Sequence, residues 1–79
     1  MTHAEELWDA VVKHCSTGVG YRIALDGARL TLSDTDNTRQ VYVEPDATGE
    51  WLVVDGCDVV AVRNEADSAV WFAVERIGK

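Results

Sequence analysis

The chain is short of basic residues. Its 79 residues include seven Lys and Arg against fourteen Asp and Glu, which gives a formal net charge of -7. Proteins that bind a nucleic-acid backbone gain much of their affinity from cations that neutralise phosphates, so this charge argues against direct binding of DNA or RNA. It disfavours anionic membrane surfaces for the same reason. Basic protein surfaces are the partners that the charge favours.

Cysteine and long apolar runs are also lacking. Cys15 and Cys57 are the only cysteines, and they form neither a C-x-x-C motif nor half of a zinc site, so we expect two reduced, small core residues. No segment approaches the roughly 18 continuous apolar residues that suggest a membrane span. The N-terminal residues are too acidic for a secretory signal of the usual kind. We therefore expect the cytoplasm as the location.

The chain does have enough apolar sequence for one core. Hydrophobic residues make up 47% of it, including three Trp, two Tyr and one Phe. A chain of this size buries only about 60% of the surface that its unfolded form exposes, which leaves no room for two domains. We predict a single domain over residues 1–79 that needs no disulfide or structural metal.

The N-terminal segment predicts a helix. Thr2 and Glu5 have the spacing of a capping box, and apolar residues then recur every three or four positions, which places them on one helical face. Gly18 would close the helix, which is predicted to end near residues 15–17. The predicted inward residues are Ala4, Leu7, Trp8, Val11 and Cys15.

Beyond residue 20 the pattern changes to a period of two, which predicts strands. Around the Asp26-Gly27 dipeptide it predicts a hairpin in which Ile23 opposes Leu30, and a second Asp-Gly turn follows at residues 55–56. Further strands are predicted at residues 39–44, 50–54, 57–63 and 69–77. The predicted fold class is α+β, with one N-terminal helix packed on an antiparallel meander sheet of about five to six strands.

No catalytic or metal-binding pattern emerges. The segment at residues 34–37 starts like a calcium loop, but Arg39 stands where that loop needs Gly and Pro45 where it needs Glu. His3 and His14 are separated by about 16 Å along one helix, too far to share a metal ion, and we interpret both as solvent-facing. No nucleophile motif accompanies them. We expect no catalytic residue, no metal, no cofactor and no enzyme activity.

The aromatic residues divide into two groups. Trp8, Trp71 and Phe72 are predicted to lie in the core, whereas Tyr42 and Trp51 are candidates for partial exposure. A base-stacking platform is not favoured, because such platforms lie in basic grooves and the sequence around these aromatics is acidic. An exposed aromatic ringed by acids would suit an interface anchor.

Acidity is concentrated in the middle of the chain, because residues 34–67 hold nine Asp and Glu and two Arg and so carry the entire net charge. Two interpretations stay open. The acids favour turns and maintain solubility, or they form a field that steers the chain onto a basic groove. Alternate loops of a meander share an end of the sheet. The acids expected at one end are Asp34, Asp36 and Asp55, and those expected at the other are Asp46, Glu50, Glu65 and Asp67.

In its small size, acidity, predicted helix-plus-sheet fold and lack of catalytic motifs, the chain resembles phage-encoded anti-CRISPR proteins. The resemblance concerns general character, since these proteins share no common motif, and no functional residue is carried over. It implies binding to a Cas subunit, with a Cascade-type complex prevented from binding its DNA target.

The residues predict a small acidic binding protein that blocks a basic protein surface, one that normally receives nucleic acid. Two alternatives stay open: a structural or regulatory subunit that self-associates through its C-terminal strand at a sheet edge, and a toxin antidote or immunity-type protein. The predicted partner-binding residues are Asp34, Asp36, Tyr42, Glu44, Asp46, Glu50, Trp51, Glu65 and Asp67.

Overall fold

A computed structural model of the chain describes residues 2–15, 21–36 and 38–77. Two helices and five strands follow one another through these ranges. They are α1 (His3–His14), β1 (Tyr21–Asp26), β2 (Arg29–Asp34), β3 (Gln40–Pro45), β4 (Trp51–Asp55), β5 (Asp58–Arg63) and α2 (Ala66–Ile77). The predicted α+β class is confirmed, but the last element is a helix where a strand was predicted.

Helix α1 begins as the capping-box spacing predicts. The Thr2 hydroxyl accepts a hydrogen bond from the Glu5 backbone N–H at 3.2 Å and lies 3.1 Å from Glu5 Oε1, to which it donates. The helix ends at His14, with Cys15 as its C-cap. The predicted role of Gly18 in closing the helix lies outside the described residues.

The buried face of α1 differs from the predicted one. Leu7, Ala10 and Val11 are buried, whereas Trp8 is 57% exposed. Successive residues of a helix point about 100° apart, so a rotation of the inward face toward Ala10 carries Trp8 out of the core. This rotation follows from the position of α2. Helix α2 packs beside α1 and covers part of the apolar face of α1 on that side.

The five strands form an antiparallel meander in the order β1-β2-β3-β4-β5. In the first hairpin, Ile23 pairs with Leu32 and not with the predicted Leu30, because the two-residue turn begins at Gly27 rather than at Asp26. Gly27 has a φ of 61°, the positive value that two-residue hairpin turns require at their first central position and that glycine adopts without strain. A register change of two residues leaves each side chain on its predicted face.

The β4–β5 hairpin contains a β-bulge. Val54 pairs with Val59, but Val53 pairs with Ala61, so Val60 is an extra residue in β5. In a bulge, two residues of one strand oppose a single residue of the other. Val60 and Ala61 accordingly both pack against the core.

The C-terminal residues form α2 rather than the predicted sixth strand. Its buried residues recur at three- and four-residue intervals, the period of a helical face. They are Ala66, Ala69, Val70, Ala73 and Ile77. Alanine has the highest helix propensity, and its small side chain lets the helix lie close to the sheet. The strand prediction failed because Trp71, Phe72 and Val74 fill the intervening positions and make the segment look apolar on both faces of a strand.

The core lies between one face of the sheet and the two helices. Trp51 is 1% exposed, and the inward residues of β2 and β3 are fully buried. Helix α2 contacts β2 to β5, and α1 contacts α2 and β2. On the other face of the sheet, Tyr42, Leu52 and Val54 alternate with the core residues and are partly exposed. Each helix has 12 residues, and in the described part of the chain none has the length and apolar character to cross a membrane.

The two cysteines have different surroundings. Cys15 is half-buried against the core, and burial raises the pKa of its thiol. Cys57 was also predicted as a core residue, but it is exposed, because it occupies the second position of the β4–β5 turn.

The burial of Trp51 gives a test of the fold. We expect Trp51→Ala to lower the free energy of unfolding by about 3 to 5 kcal/mol, because it leaves a large cavity in the core. Trp71 is 54% exposed, so Trp71→Ala should cost less than about 1 kcal/mol. Urea unfolding followed by circular dichroism measures both values. Equal losses would contradict this assignment of the two tryptophans, and Trp51→Phe extends the comparison if Trp51→Ala does not fold.

Candidate functional site

The antiparallel order of the strands divides the loops between two ends of the sheet. The β1–β2 turn, the β3–β4 loop and the β5–α2 junction lie at one end, and the β2–β3 loop and the β4–β5 turn lie at the other, which we call the far end. Helix α1 is held at the first end, since the ring centroids of His3 and Trp51 are 5.5 Å apart. We call this first end the acidic end, defined by Glu5, Glu6, Asp9, Glu44, Asp46, Glu50, Glu65 and Asp67.

A groove of about 610 Å³ lies at the acidic end, between α1 and the start of α2. Four carboxylates and the single cation Lys13 line it. The carboxylates belong to Glu6, Asp9, Glu65 and Asp67. Within residues 2–15, 21–36 and 38–77, no ion pair or hydrogen bond engages the side chain of Glu6, Asp9 or Glu65. The groove therefore has an excess of negative charge that faces solvent.

Asp67 ties the two helices together. Its Oδ1 lies 2.6 Å from His14 Nε2 and 3.4 Å from Lys13 Nζ. The hydrogen bond with His14, and then the nearby Lys13, hold the pKa of the Asp67 carboxyl below its ordinary value. The predicted binding residue Asp67 thus has part of its charge neutralised within the chain. His14, predicted to face solvent, is partly buried in this contact.

All three predicted acids around the β3–β4 loop have partners within the chain. Glu50 Oε1 lies 3.2 Å from the Thr48 hydroxyl. Asp46 Oδ1 accepts hydrogen bonds from the Thr48 hydroxyl at 2.7 Å, the Thr48 N–H at 2.8 Å and the Glu50 N–H at 3.0 Å. These bonds, the one from the hydroxyl first, lower the pKa of Asp46. Glu44 lies 3.7 Å from Arg29 Nε. The loop contributes negative charge to the acidic end, but Asp46 is fixed by the turn that it stabilises.

The predicted residues Asp34 and Asp36 lie at the far end. Asp34 stabilises the β2–β3 loop, where its carboxylate accepts hydrogen bonds from the Thr38 N–H and the Thr38 hydroxyl, both at 2.8 Å. Asp36 is exposed. The expected division of the acids between two ends is therefore found, and these two residues do not join the groove.

Asp55 forms the centre of an ion cluster at the far end. Its Oδ2 accepts hydrogen bonds from Arg76 Nε at 2.6 Å and from Arg39 Nη2 at 3.0 Å. The bonds from Arg39 and Arg76 hold the pKa of Asp55 below its ordinary value, and the pKa of Arg39 is raised in return. The cluster joins α2 to β4 and to the segment before β3. It neutralises Asp55, whereas Glu6, Asp9 and Glu65 at the acidic end have no such partner within the described residues.

Of the two predicted aromatic anchors, Tyr42 is partly exposed as expected and Trp51 is not. Trp51 is 1% exposed, so it cannot contact a partner; its large ring fills the core at the start of β4. Tyr42 lies half-buried on the open face of the sheet. The Arg29 guanidinium is 4.5 Å from the centre of its ring, and the Tyr42 hydroxyl donates to Gln40 Oε1.

The exposed aromatic at the acidic end is Trp8, although the sequence pattern predicts it in the core. At about 100° per residue, Glu5 and Asp9 lie between Trp8 on one flank of α1 and Glu6 on the flank that faces the groove. Val12, four residues from Trp8 on the same side, is 64% exposed. The sequence signal for this pair is its four-residue spacing, which places both side chains on one flank of the helix.

A comparison with known protein families, with curated proteins and with solved structures gives no match to the chain. The geometry of the described residues therefore carries the functional argument. Among them, no group of three His, Cys, Asp or Glu residues is placed to hold a metal ion.

The Asp55 cluster gives a pH-dependent prediction. A carboxyl whose pKa is lower in the folded state stabilises the fold above its unfolded value of about 3.9, and this stabilisation is lost as the pH falls through the folded value. Asp55→Asn should therefore be less stable than the natural chain at pH 7, and the difference should shrink as the pH falls below about 4. Urea unfolding from neutral to acidic pH measures it. Asp36→Asn is the control, and a similar loss in that variant would contradict the role of the cluster.

Proposed function

We propose that the chain is a small binding protein whose acidic end docks on a basic surface of another protein. The observation that carries this proposal is the groove between α1 and α2, where the carboxylates of Glu6, Asp9 and Glu65 have no partner within the described residues. The far end supplies a contrast, because Arg39 and Arg76 already neutralise Asp55 there. A basic partner would thus meet the molecule in one orientation.

Binding to the basic surface would depend on two features of the acidic end: an electrostatic field with a fixed direction, and an apolar residue that contacts the partner. Several carboxylates on one side of a small molecule raise the rate of encounter with a cationic surface, and the effect decreases as salt concentration rises. Charge complementarity then fixes the orientation of the complex. Trp8 supplies apolar contact area beside Asp9, and large aromatic residues of this kind contribute much of the binding free energy at protein interfaces.

Surfaces that receive nucleic acid suit this mode of binding, because they present clustered Lys and Arg that a row of carboxylates can occupy. An anti-CRISPR role, in which the chain blocks DNA binding by a Cascade-type complex, is the specific form that we propose. Its support is the small size, the acidity and the fold. An antidote or immunity-type protein would use the same geometry on a basic active site. The expected strand at residues 69–77 is wrong, because those residues lie in α2. The other alternative, a subunit that self-associates through a sheet edge, would therefore use a different strand.

Paired neutralisation of acids tests the acidic end. Asp9→Asn with Glu65→Gln removes two charges from the groove, and Asp36→Asn with Glu75→Gln removes the same two residue types from the far side of the molecule. The probe is a purified Cascade-type complex with its target duplex DNA. The natural chain should lower DNA binding, less so as salt increases. The groove variant should lose about tenfold or more in apparent affinity, ~1.4 kcal/mol, and the control should retain it.

Two outcomes would contradict parts of the proposal. If the natural chain leaves DNA binding by the complex unchanged, the anti-CRISPR role is wrong. The broader proposal is then tested by capture of basic proteins from nuclease-treated lysate on the natural chain and on both variants. It requires a protein that the natural chain and the control retain and that the groove variant loses. Equal capture by all three chains, or capture by none, would reject the acidic end as the binding site.

Trp8 gives a second test of the same surface. Trp8→Ala should weaken binding of the identified partner by about thirtyfold, the effect of removing a residue worth ~2 kcal/mol at an interface. The free energy of unfolding should change by less than about 1 kcal/mol, because the side chain is 57% exposed. Trp71→Ala is the matched control and should bind normally. Isothermal titration calorimetry measures the affinities, and normal binding by the Trp8 variant would exclude its contact role.

A further inference from the structure

Strand β5 is an edge of the sheet, since β4 is its neighbour on one side and the meander ends there. An edge strand presents unpaired backbone N–H and C=O groups that can pair with another strand. Two large apolar side chains on this strand are exposed, Val59 by 55% and Val62 by 43%. The edge therefore offers both backbone pairing and apolar contact.

The bulge at Val60 decides which side chains of β5 share a face. Arg63 pairs with the buried Trp51 and its guanidinium lies 5.0 Å from the Phe72 ring, so Arg63 is on the helix side of the sheet. Asp58 pairs with Asp55, which bonds to α2 on that same side.

Val59 and Val62 lie on the opposite, open side of the sheet. They pair with Val54 and Leu52, which alternate with the core residues of β4. In a regular strand Asp58 and Arg63 would lie on opposite faces, because they are five positions apart and side chains alternate. The bulge interrupts the alternation and puts them on the same face.

We propose that β5 pairs antiparallel with β5 of a second copy of the chain. In the register we propose, Asp58 lies opposite Arg63 of the second copy, and Val59 lies opposite its Val62. Val60 then lies opposite Ala61, and each of the three pairs has both members on the same face. Residues directly opposite each other in an antiparallel pair must share a face, and the bulge makes this register satisfy that condition.

Charge complementarity selects this arrangement. The twofold axis repeats each contact, so two Asp58–Arg63 pairs flank the apolar centre. A parallel pairing in register would place Asp58 against Asp58 and Arg63 against Arg63, which is unfavourable. Antiparallel pairing also sets the acidic end of each copy beside the far end of the other, and this separates the two like-charged ends.

The other edge of the sheet is a weaker candidate. Strand β1 also has opposite charges near its ends, Arg22 and Asp26, but the exposed apolar residue at its centre is the small Ala24. Pairing through β5 buries two valines from each copy, and apolar burial provides most of the free energy of association.

Six paired residues form a contact below the ~1,200 Å² of stable interfaces, so the dimer is weak and depends on concentration.

Charge reversal tests the register. Sedimentation velocity from about 10 µM to about 1 mM, where a weak contact is populated, should show the natural chain approaching twice its monomer mass. Asp58→Arg and Arg63→Asp should each raise the dissociation constant about tenfold, because each places like charges opposite one another. The double variant should restore association. Arg22→Asp in β1 is the control, and a thermal melt confirms that every variant is folded.

Several results would overturn the proposal. These are a natural chain that stays monomeric at the highest concentration, a dimer that Asp58→Arg does not weaken, and a double variant that stays monomeric while folded. Loss of association in Arg22→Asp would assign the contact to β1 instead. The experiment is independent of the proposed function, since the groove variant with Asp9→Asn and Glu65→Gln should associate normally.

Discussion

The close packing of α2 on the sheet is the contact on which the rest of the structure depends. Three alanines on its inward face are at most 3% exposed, so the helix backbone lies near the strands. Its start then places Glu65 and Asp67 beside α1, and its last turn brings Arg76 to Asp55 at the opposite end. The start of α2 thus forms one wall of the acidic groove, and its last turn neutralises Asp55. Which carboxylates stay unpaired follows from packing as well as from composition.

The acids of this chain have two kinds of role, and they are physically distinguishable. Asp34, Asp46 and Asp55 accept two or more hydrogen bonds from loop groups or arginines and stabilise local structure. Glu6, Asp9 and Glu65 lack such partners in the described structure. Aspartate favours turns because its short side chain reaches the neighbouring backbone, whereas Glu6, Asp9 and Glu65 line the groove and face solvent. The net charge alone does not separate these two groups.

Local patterns predicted much of the fold. The capping box at Thr2, the alternation in β1 to β4 and the glycines of both hairpins are properties of neighbouring residues, so the sequence displays them directly. Both hairpin turns begin one residue later than predicted, yet the faces of the first hairpin were right because side chains repeat every two positions. Helix α2 was missed because apolar residues at nearly every position hide a helical period. The site was predicted in part, through Glu65 and the loop acids, while Trp51 and Trp8 exchanged their expected places.

The sequence by itself determined the acidic character, the α+β class, the start of α1 and the order of the meander, since each depends on composition or on residues close together in the chain. Tertiary structure alone decided which tryptophan is buried, which carboxylates are neutralised and which acids share a groove. Those properties depend on pairs such as His14 and Asp67, or Arg39 and Asp55, that are distant in sequence. Their partners are chosen by how the helices pack against the sheet and each other, and no local pattern encodes that geometry.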